Sequence, residues 1–331
     1  MLKSLHLLAL ANIFPLAAAT SDGTSSNTTS ITLIHQYQPV TWVENLAVRP
    51  NGHLLPITTT SSVLNQLDPI TGDLTFVHDF ASAGNAIQGI TEVQPDHFAL
   101  NVLTCNITGD LTCTSGSLST WGVDFRPERH HDPAPVPRVH KIAAFPDAGF
   151  LNGVATLNSH LGIILMADSF KGGIWSLDIW TGETTLLFTD PSMAGTTEAQ
   201  NGINGIRIRP GELYFINSAQ GTFNRIPIDP ATGVKRGSAT VITDGLAAPD
   251  DFEIDDRKGM AYVCNGFLDQ VLKIELASGK CEVLVRLPGP TSMRWGTGGR
   301  QKSLFASTIG GLLQYVEHNV TVGGAVYGIE L

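Results

Sequence analysis

The chain has 331 residues, 42% hydrophobic and only 15% charged, so it can bury a full core and is not disordered as a whole. Lys and Arg number 20 against 30 Asp and Glu, a formal charge of −10. An acidic chain without basic clusters excludes nucleic acid and anionic membranes as partners, because both need a cationic face. The 34 Gly and 18 Pro demand many turns and exclude long-helix architectures.

Residues 1–19 read as a signal peptide. Lys3 supplies the positive start, Leu5 to Leu16 the apolar stretch, and Ala17-Ala18-Ala19 the small-x-small cleavage site before Thr20. The apolar run falls short of the roughly 20 residues that cross a bilayer, and no later segment is longer. The mature chain is therefore expected without a membrane span, secreted or held in the secretory-pathway lumen. Residues 20–30, rich in Ser, Thr and Gly, are expected as a disordered leader. An oxidising route fits the 4 cysteines. Cys105–Cys113 would staple a short polar loop, and Cys264–Cys281 would join strands expected to be neighbours. Asn27, Asn106 and Asn319 begin glycosylation sequons.

From residue 31 onward the chain repeats. Apolar strand openings begin at Asn45, Gly89, Asn152, Asn204, Asp250 and Thr291. Most units then carry a hairpin signal: Asp68-Pro-Ile-Thr-Gly72, Asp178-Ile-Trp-Thr-Gly182, Asp229-Pro-Ala-Thr-Gly233 and Glu275-Leu-Ala-Ser-Gly279. Asp favours turn initiation and Gly accepts the positive φ that closes the turn. Spacings near 40 to 50 residues, each holding several short strands, predict an all-β fold, a six-bladed β-propeller with four-stranded blades. Ile31–Tyr37 and the C-terminal Gly324–Leu331 both alternate like strands, so the N- and C-terminal strands are expected to close the ring in one blade. Residues 31–331 then form a single domain, expected as a monomer. Insertions at Cys105–Lys141, containing His130-His131, and at Asp190–Gln200 are expected at blade ends; the histidine pair is read as solvated.

In a propeller the start of each innermost strand faces one channel mouth. Glu44, Asn152, Asn204 and Asp250 occupy such positions, and their oxygens suit one divalent cation, Ca²⁺, Mg²⁺ or Mn²⁺; the same residues also simply make turns. These positions resemble those of the senescence-marker-protein, regucalcin and gluconolactonase family of six-bladed propellers. The motifs that carry the resemblance are Val43-Glu44, Leu151-Asn152-Gly153, Ile203-Asn204-Gly205, Pro249-Asp250 and Pro290-Thr-Ser292. The resemblance implies that Glu44, Asn152, Asn204 and Asp250 ligate a metal that opens sugar lactones, with Asp250 as general base. Two departures count against lactone chemistry: the family's Glu-Gly-Pro is Glu44-Asn45-Leu46 here, and its Pro-Asp-Gly is Pro249-Asp250-Asp251. Apolar neighbours Leu46, Phe150, Leu151, Phe252, Met293 and Trp295 point to an apolar ligand at the mouth.

In overall character the chain resembles fungal propellers of secondary-metabolite biosynthesis, among them the hetero-Diels-Alderases of tropolonic sesquiterpenoid pathways. These join a tropolone quinone methide to humulene, a pericyclic step that needs positioning and no nucleophile. A phosphate loop, a dinucleotide fingerprint, a nucleophile elbow and a zinc-protease helix are all missing, so no organic cofactor is expected. Three readings stand: a cyclase acting on small apolar partners, a metal-dependent lactone hydrolase, and a non-catalytic binding propeller. The first is preferred.

Overall fold

The computed structural model describes residues 29–106, 112–127, 136–297, 303–310 and 322–331. Six four-stranded antiparallel sheets succeed one another along the chain. Their innermost strands are Val43–Val48, Ala86–Gln94, Leu151–Asn158, Ile203–Arg209, Pro249–Asp255 and Pro290–Trp295, which define blades one to six. Each inner strand contacts the next, and that of blade six contacts that of blade one. The ring is closed as the sequence predicts. Blade six takes its outermost strand, Ser30–Gln36, from the N-terminal end, paired antiparallel with Ala325–Glu330.

The hairpin signal performs as expected. Gly72, Gly182, Gly233 and Gly279 all lie in the left-handed region, with φ between 72° and 77°. Each donates its backbone N–H to the carbonyl of the Asp or Glu four residues earlier.

The hydrophobic core is not central. Six apolar clusters fill the six seams between adjacent blades. Apolar burial therefore holds each blade to its neighbours and leaves the axis to polar side chains. Leu46, Leu151, Phe252 and Met293, read from sequence as apolar neighbours of the mouth, are consumed by these seams.

Four further expectations need correction. The segment Cys105–Lys141 is not one insertion, since it contains the third strand of blade two, Ser119–Asp124, and the start of the fourth, Arg138–Ala144. Blade two opens at Ala86, three residues before Gly89. The closing strand begins at Ser30, inside the expected leader. Finally, Cys105–Cys113 is bonded, but Cys264 and Cys281 are free thiols, one buried and one exposed. They sit on the second and fourth strands of blade five, with Gln270–Glu275 between them. Two inter-strand steps of about 4.8 Å separate the backbones by more than a disulfide reaches.

The signal peptide, His130-His131 and the sequons at Asn27 and Asn319 lie outside the described residues, whereas Asn106 is exposed. No helix among the described residues is long and apolar enough to cross a membrane.

Candidate active site at the channel mouth

Every inner strand is irregular near its start. The register with the second strand breaks between Val43 and Asn45, Ile87 and Ile90, Leu151 and Val154, Ile203 and Ile206, Pro249 and Phe252, and Pro290 and Ser292. Such bulges release a residue from the ladder and re-aim its side chain. The released positions include Glu44, Gln88, Asn152, Asn204, Asp250 and Thr291, one per blade, and all six line a single pocket. The pocket encloses about 670 Å³ counted out to its open mouth. Its walls are completed by Trp42, Thr59, Phe150, Asn201, Ser218, Ala248, Phe267, Pro290 and Ile309.

All four residues chosen from sequence therefore meet. Two were missed. Gln88 precedes the opening as read from sequence by one residue, and its Nε2 donates to Asn152 Oδ1 at 3.4 Å. Thr291 was read as an opening but not as a site residue; its hydroxyl donates to the Val43 carbonyl at 2.7 Å and so ties blade six to blade one. Asn204 Nδ2 donates to Ser218 Oγ at 2.9 Å, and Ser218 donates to the Pro249 carbonyl at 2.7 Å.

The two acids are electrostatically frustrated. Burial pushes the Glu44 carboxyl up to about 7; the nearby Trp42 indole N–H draws it down, and the charge of Asp251 raises it further. Asp250 keeps some solvent contact through the open pocket, but protein surrounds its other sides. Loss of hydration, then the charges of Glu44 and Asp251, hold it well above the usual carboxylate range, while the Asn204 amide lowers it. A cation between these groups would relieve that repulsion. Two carboxylates and two amide carbonyls are hard oxygen donors of the kind Ca²⁺ and Mg²⁺ take.

The next residue of each inner strand forms a second layer, closed by a buried ion network. Asp251 accepts from Arg207 at 3.0 and 3.1 Å, from Arg294 at 2.9 Å, from Ser292 at 2.6 Å and from Asn45 at 3.3 Å. Arg294 also donates to Asn45 Oδ1 at 2.9 Å. The two departures from the lactonase pattern, Asn45 and Asp251, thus meet each other across the axis. Blades two to four carry Gly89, Gly153 and Gly205 in this layer because the strands press together. A Cβ on Gly205 would stand 2.2 Å from an Asp251 carboxylate oxygen, and one on Gly153 would stand 2.4 Å from the Asn204 carbonyl oxygen. Beyond the network, Arg207, Arg209, Glu253, Arg294 and Trp295 line a separate pocket towards the other mouth.

The apolar character expected at the mouth is present but from other residues. Of the six neighbours named from sequence only Phe150 lines the pocket. Phe267, on the turn Gly266–Leu268 of blade five, is 52% exposed at its rim.

One bulged residue per blade converges on a pocket at the channel mouth, above the buried ion network, in a six-bladed propeller. The chain is similar to a Phoma sp protein named as a candidate hetero-Diels-Alderase, 29% identical over an alignment of 356 positions, gaps included, that covers 96% of this chain and 99% of that one. A second protein so named, from Sarocladium schorii, is 26% identical over 64% of this chain and 57% of its own length. No family model matches the chain. Among solved structures, a luciferin-regenerating enzyme superposes with a TM-score of 0.65 at 15% identity, covering 92% of this chain and 96% of that one. A calcium-binding regucalcin from Agrobacterium tumefaciens gives 0.58 at 16%, covering 89% and 94%. At these identities the structural likeness establishes the fold.

Proposed function

We propose that the protein is an enzyme of natural-product biosynthesis, a hetero-Diels-Alderase-type cyclase that joins a tropolone quinone methide to an alkene hydrocarbon such as the sesquiterpene humulene. The observation that carries this reading is the end-to-end similarity to the Phoma protein so named. The pocket agrees with it. In a hetero-Diels-Alder reaction one C–C and one C–O bond form while three π bonds become one. No proton is lost and no group leaves, so neither nucleophile nor base is needed. The protein's task is to hold two reactants in near-attack geometry, which is worth orders of magnitude in rate. Phe150, Phe267, Pro290 and Ile309 offer an apolar surface to the hydrocarbon, and a walled pocket keeps the quinone methide from water. Polar groups at the bulged strand starts would stabilise charge building on the carbonyl oxygen.

Glu44, Asn152, Asn204 and Asp250 would hold one divalent cation, and such an ion would polarise that oxygen. The same quartet is the one feature that favours the alternative of metal-dependent lactone hydrolysis, for which neither named relative speaks. The Cys105–Cys113 disulfide fits a secretory route.

The test is incubation of purified protein with a quinone-methide precursor and humulene, with aldonolactone hydrolysis assayed in parallel and both repeated with chelator. Adduct formation well above the spontaneous rate with negligible hydrolysis is expected. Chelator-sensitive lactone opening that is lost in Asp250→Ala, without adduct formation, would replace the cyclase by the lactonase.

A further inference from the structure

Among the described residues, nine buried side-chain polar atoms lack a hydrogen-bond partner, and four of them belong to this one pocket: Trp42 Nε1, Thr59 Oγ1, Gln88 Oε1 and Asn201 Oδ1. Buried polar groups are normally paired, so this concentration marks where a ligand's polar atoms belong. Trp42 and Thr59 are neighbours on blade one. The Thr59 N–H donates to the Trp42 carbonyl at 3.2 Å, and the Trp42 N–H donates to Thr60 Oγ1 at 3.0 Å. Those backbone bonds fix both residues at the pocket wall; the Thr59 hydroxyl is unused, and the indole N–H lies near the Glu44 carboxyl without a hydrogen bond to it. An indole N–H can only donate, so beside the Glu44 carboxyl it is free to serve an acceptor atom of a ligand. Thr59 is itself only 4% exposed.

Most of the apolar wall lies elsewhere on the ring. Phe267 belongs to blade five, and Pro290 and Ile309 belong to blade six. None of the three side chains carries a polar atom. The unused donors thus lie on blade one, and the hydrocarbon surface, Phe150 of blade three apart, lies on blades five and six.

We propose that Trp42 Nε1–H and Thr59 Oγ1–H form a donor pair that recognises the carbonyl-type oxygen of the oxygenated reactant, while Phe267, Pro290 and Ile309 seat the hydrocarbon. This rests on the cyclase reading and deepens it. The division orients two dissimilar partners in one pocket and so selects the face on which they join. The donors act on the oxygen whose charge grows as the C–O bond forms, so they serve both recognition and rate.

The test uses tropolone and humulene as separate probes and measures binding by calorimetry. Thr59→Val keeps the shape and removes one donor; Trp42→Phe removes the other and also leaves a smaller ring. The double variant is expected to weaken tropolone binding at least tenfold and to leave humulene within twofold; Phe267→Ala, at a half-exposed position, is expected to do the reverse. In the coupled reaction the donor variants should raise KM for the oxygenated partner only, and Thr59→Ser should restore it. Melting curves identify any variant that fails to fold; Thr59→Val alone, expected to weaken tropolone about threefold, then carries the test. Unchanged tropolone affinity in folded donor variants, or a wild type that does not bind tropolone, overturns the assignment. If the binding split holds and no adduct forms, the cyclase reading falls while the donor assignment stands. If adduct forms but the split is absent, the reverse holds.

Discussion

Adjacent residues Asp250 and Asp251 should respond to mutation with opposite signs. The Asp251 side chain is 3% exposed and is the acceptor for two buried guanidiniums, with Arg207 10% and Arg294 15% exposed. Asp251→Ala leaves Arg207 with Glu253 at 3.6 Å and leaves Arg294 with no carboxylate within salt-bridge distance among the described residues. Removing one partner of a buried ion pair costs about 3–5 kcal/mol, because the other charge stays desolvated. At roughly 2–4 °C per kcal/mol for a domain of this size class, the melting temperature should fall by on the order of 10 °C. Asp250→Asn removes a carboxyl that lost hydration and the charges of Glu44 and Asp251 already hold well above its usual range. In chelator it should melt at or above the wild-type temperature. Differential scanning calorimetry of both variants in one buffer decides the matter. An Asp251→Ala protein within about 2 °C of wild type, or an Asp250→Asn protein that is the less stable of the two, would refute the assigned roles.

Other outcomes follow from the same layers. The folded-state pKa of Glu44, about 7, lies above its ordinary 4.5, so the folded protein holds that proton longer than the unfolded chain. The stabilisation is full below about pH 4.5 and is lost as pH rises to 7, an effect on the order of 3 kcal/mol; Glu44→Gln should flatten the pH dependence of melting in chelator between pH 5 and 8. Calcium at 100 times its dissociation constant should add about 2.7 kcal/mol of stability to wild type, and Glu44→Gln combined with Asp250→Asn should abolish the gain in a thermal-shift titration. Gly205→Ala, whose methyl would displace the Asp251 carboxylate, should destabilise by a few kcal/mol in urea melts, as overpacking does. Non-reducing peptide mapping should find Cys105 joined to Cys113, with Cys281 alkylated in the native protein and Cys264 only after unfolding.

Local chemistry made the fold legible. Asp…Thr-Gly turns and polar residues at apolar strand openings are short-range signals, and each maps onto a hairpin or a bulge. Glu44, Asn152, Asn204 and Asp250 were found because carboxylates and Asn stand out at a strand start, whereas Gln88 and Thr291 occupy the same geometry with less distinctive side chains. The Asn45–Asp251 contact joins residues 206 apart, and no local pattern announces a partner from a non-adjacent blade. Cys264 and Cys281 were paired on assumed strand adjacency, and the meander inserts a strand between them. Phe150 apart, the apolar wall was misassigned because inner-strand apolar residues fill the seams; the other apolar pocket residues come from turns and strand ends, such as Phe267 and Ile309, where periodicity carries no signal.

Quinone methides also react with alkenes unaided, so the central claim is tested most directly by the enantiomeric composition of the adduct rather than by rate alone. Chiral chromatography of the product formed from achiral partners should show one enantiomer in large excess with wild-type protein. The excess should collapse when Phe267→Ala and Trp42→Phe are combined. A racemic product at a rate equal to the protein-free control would contradict the cyclase reading.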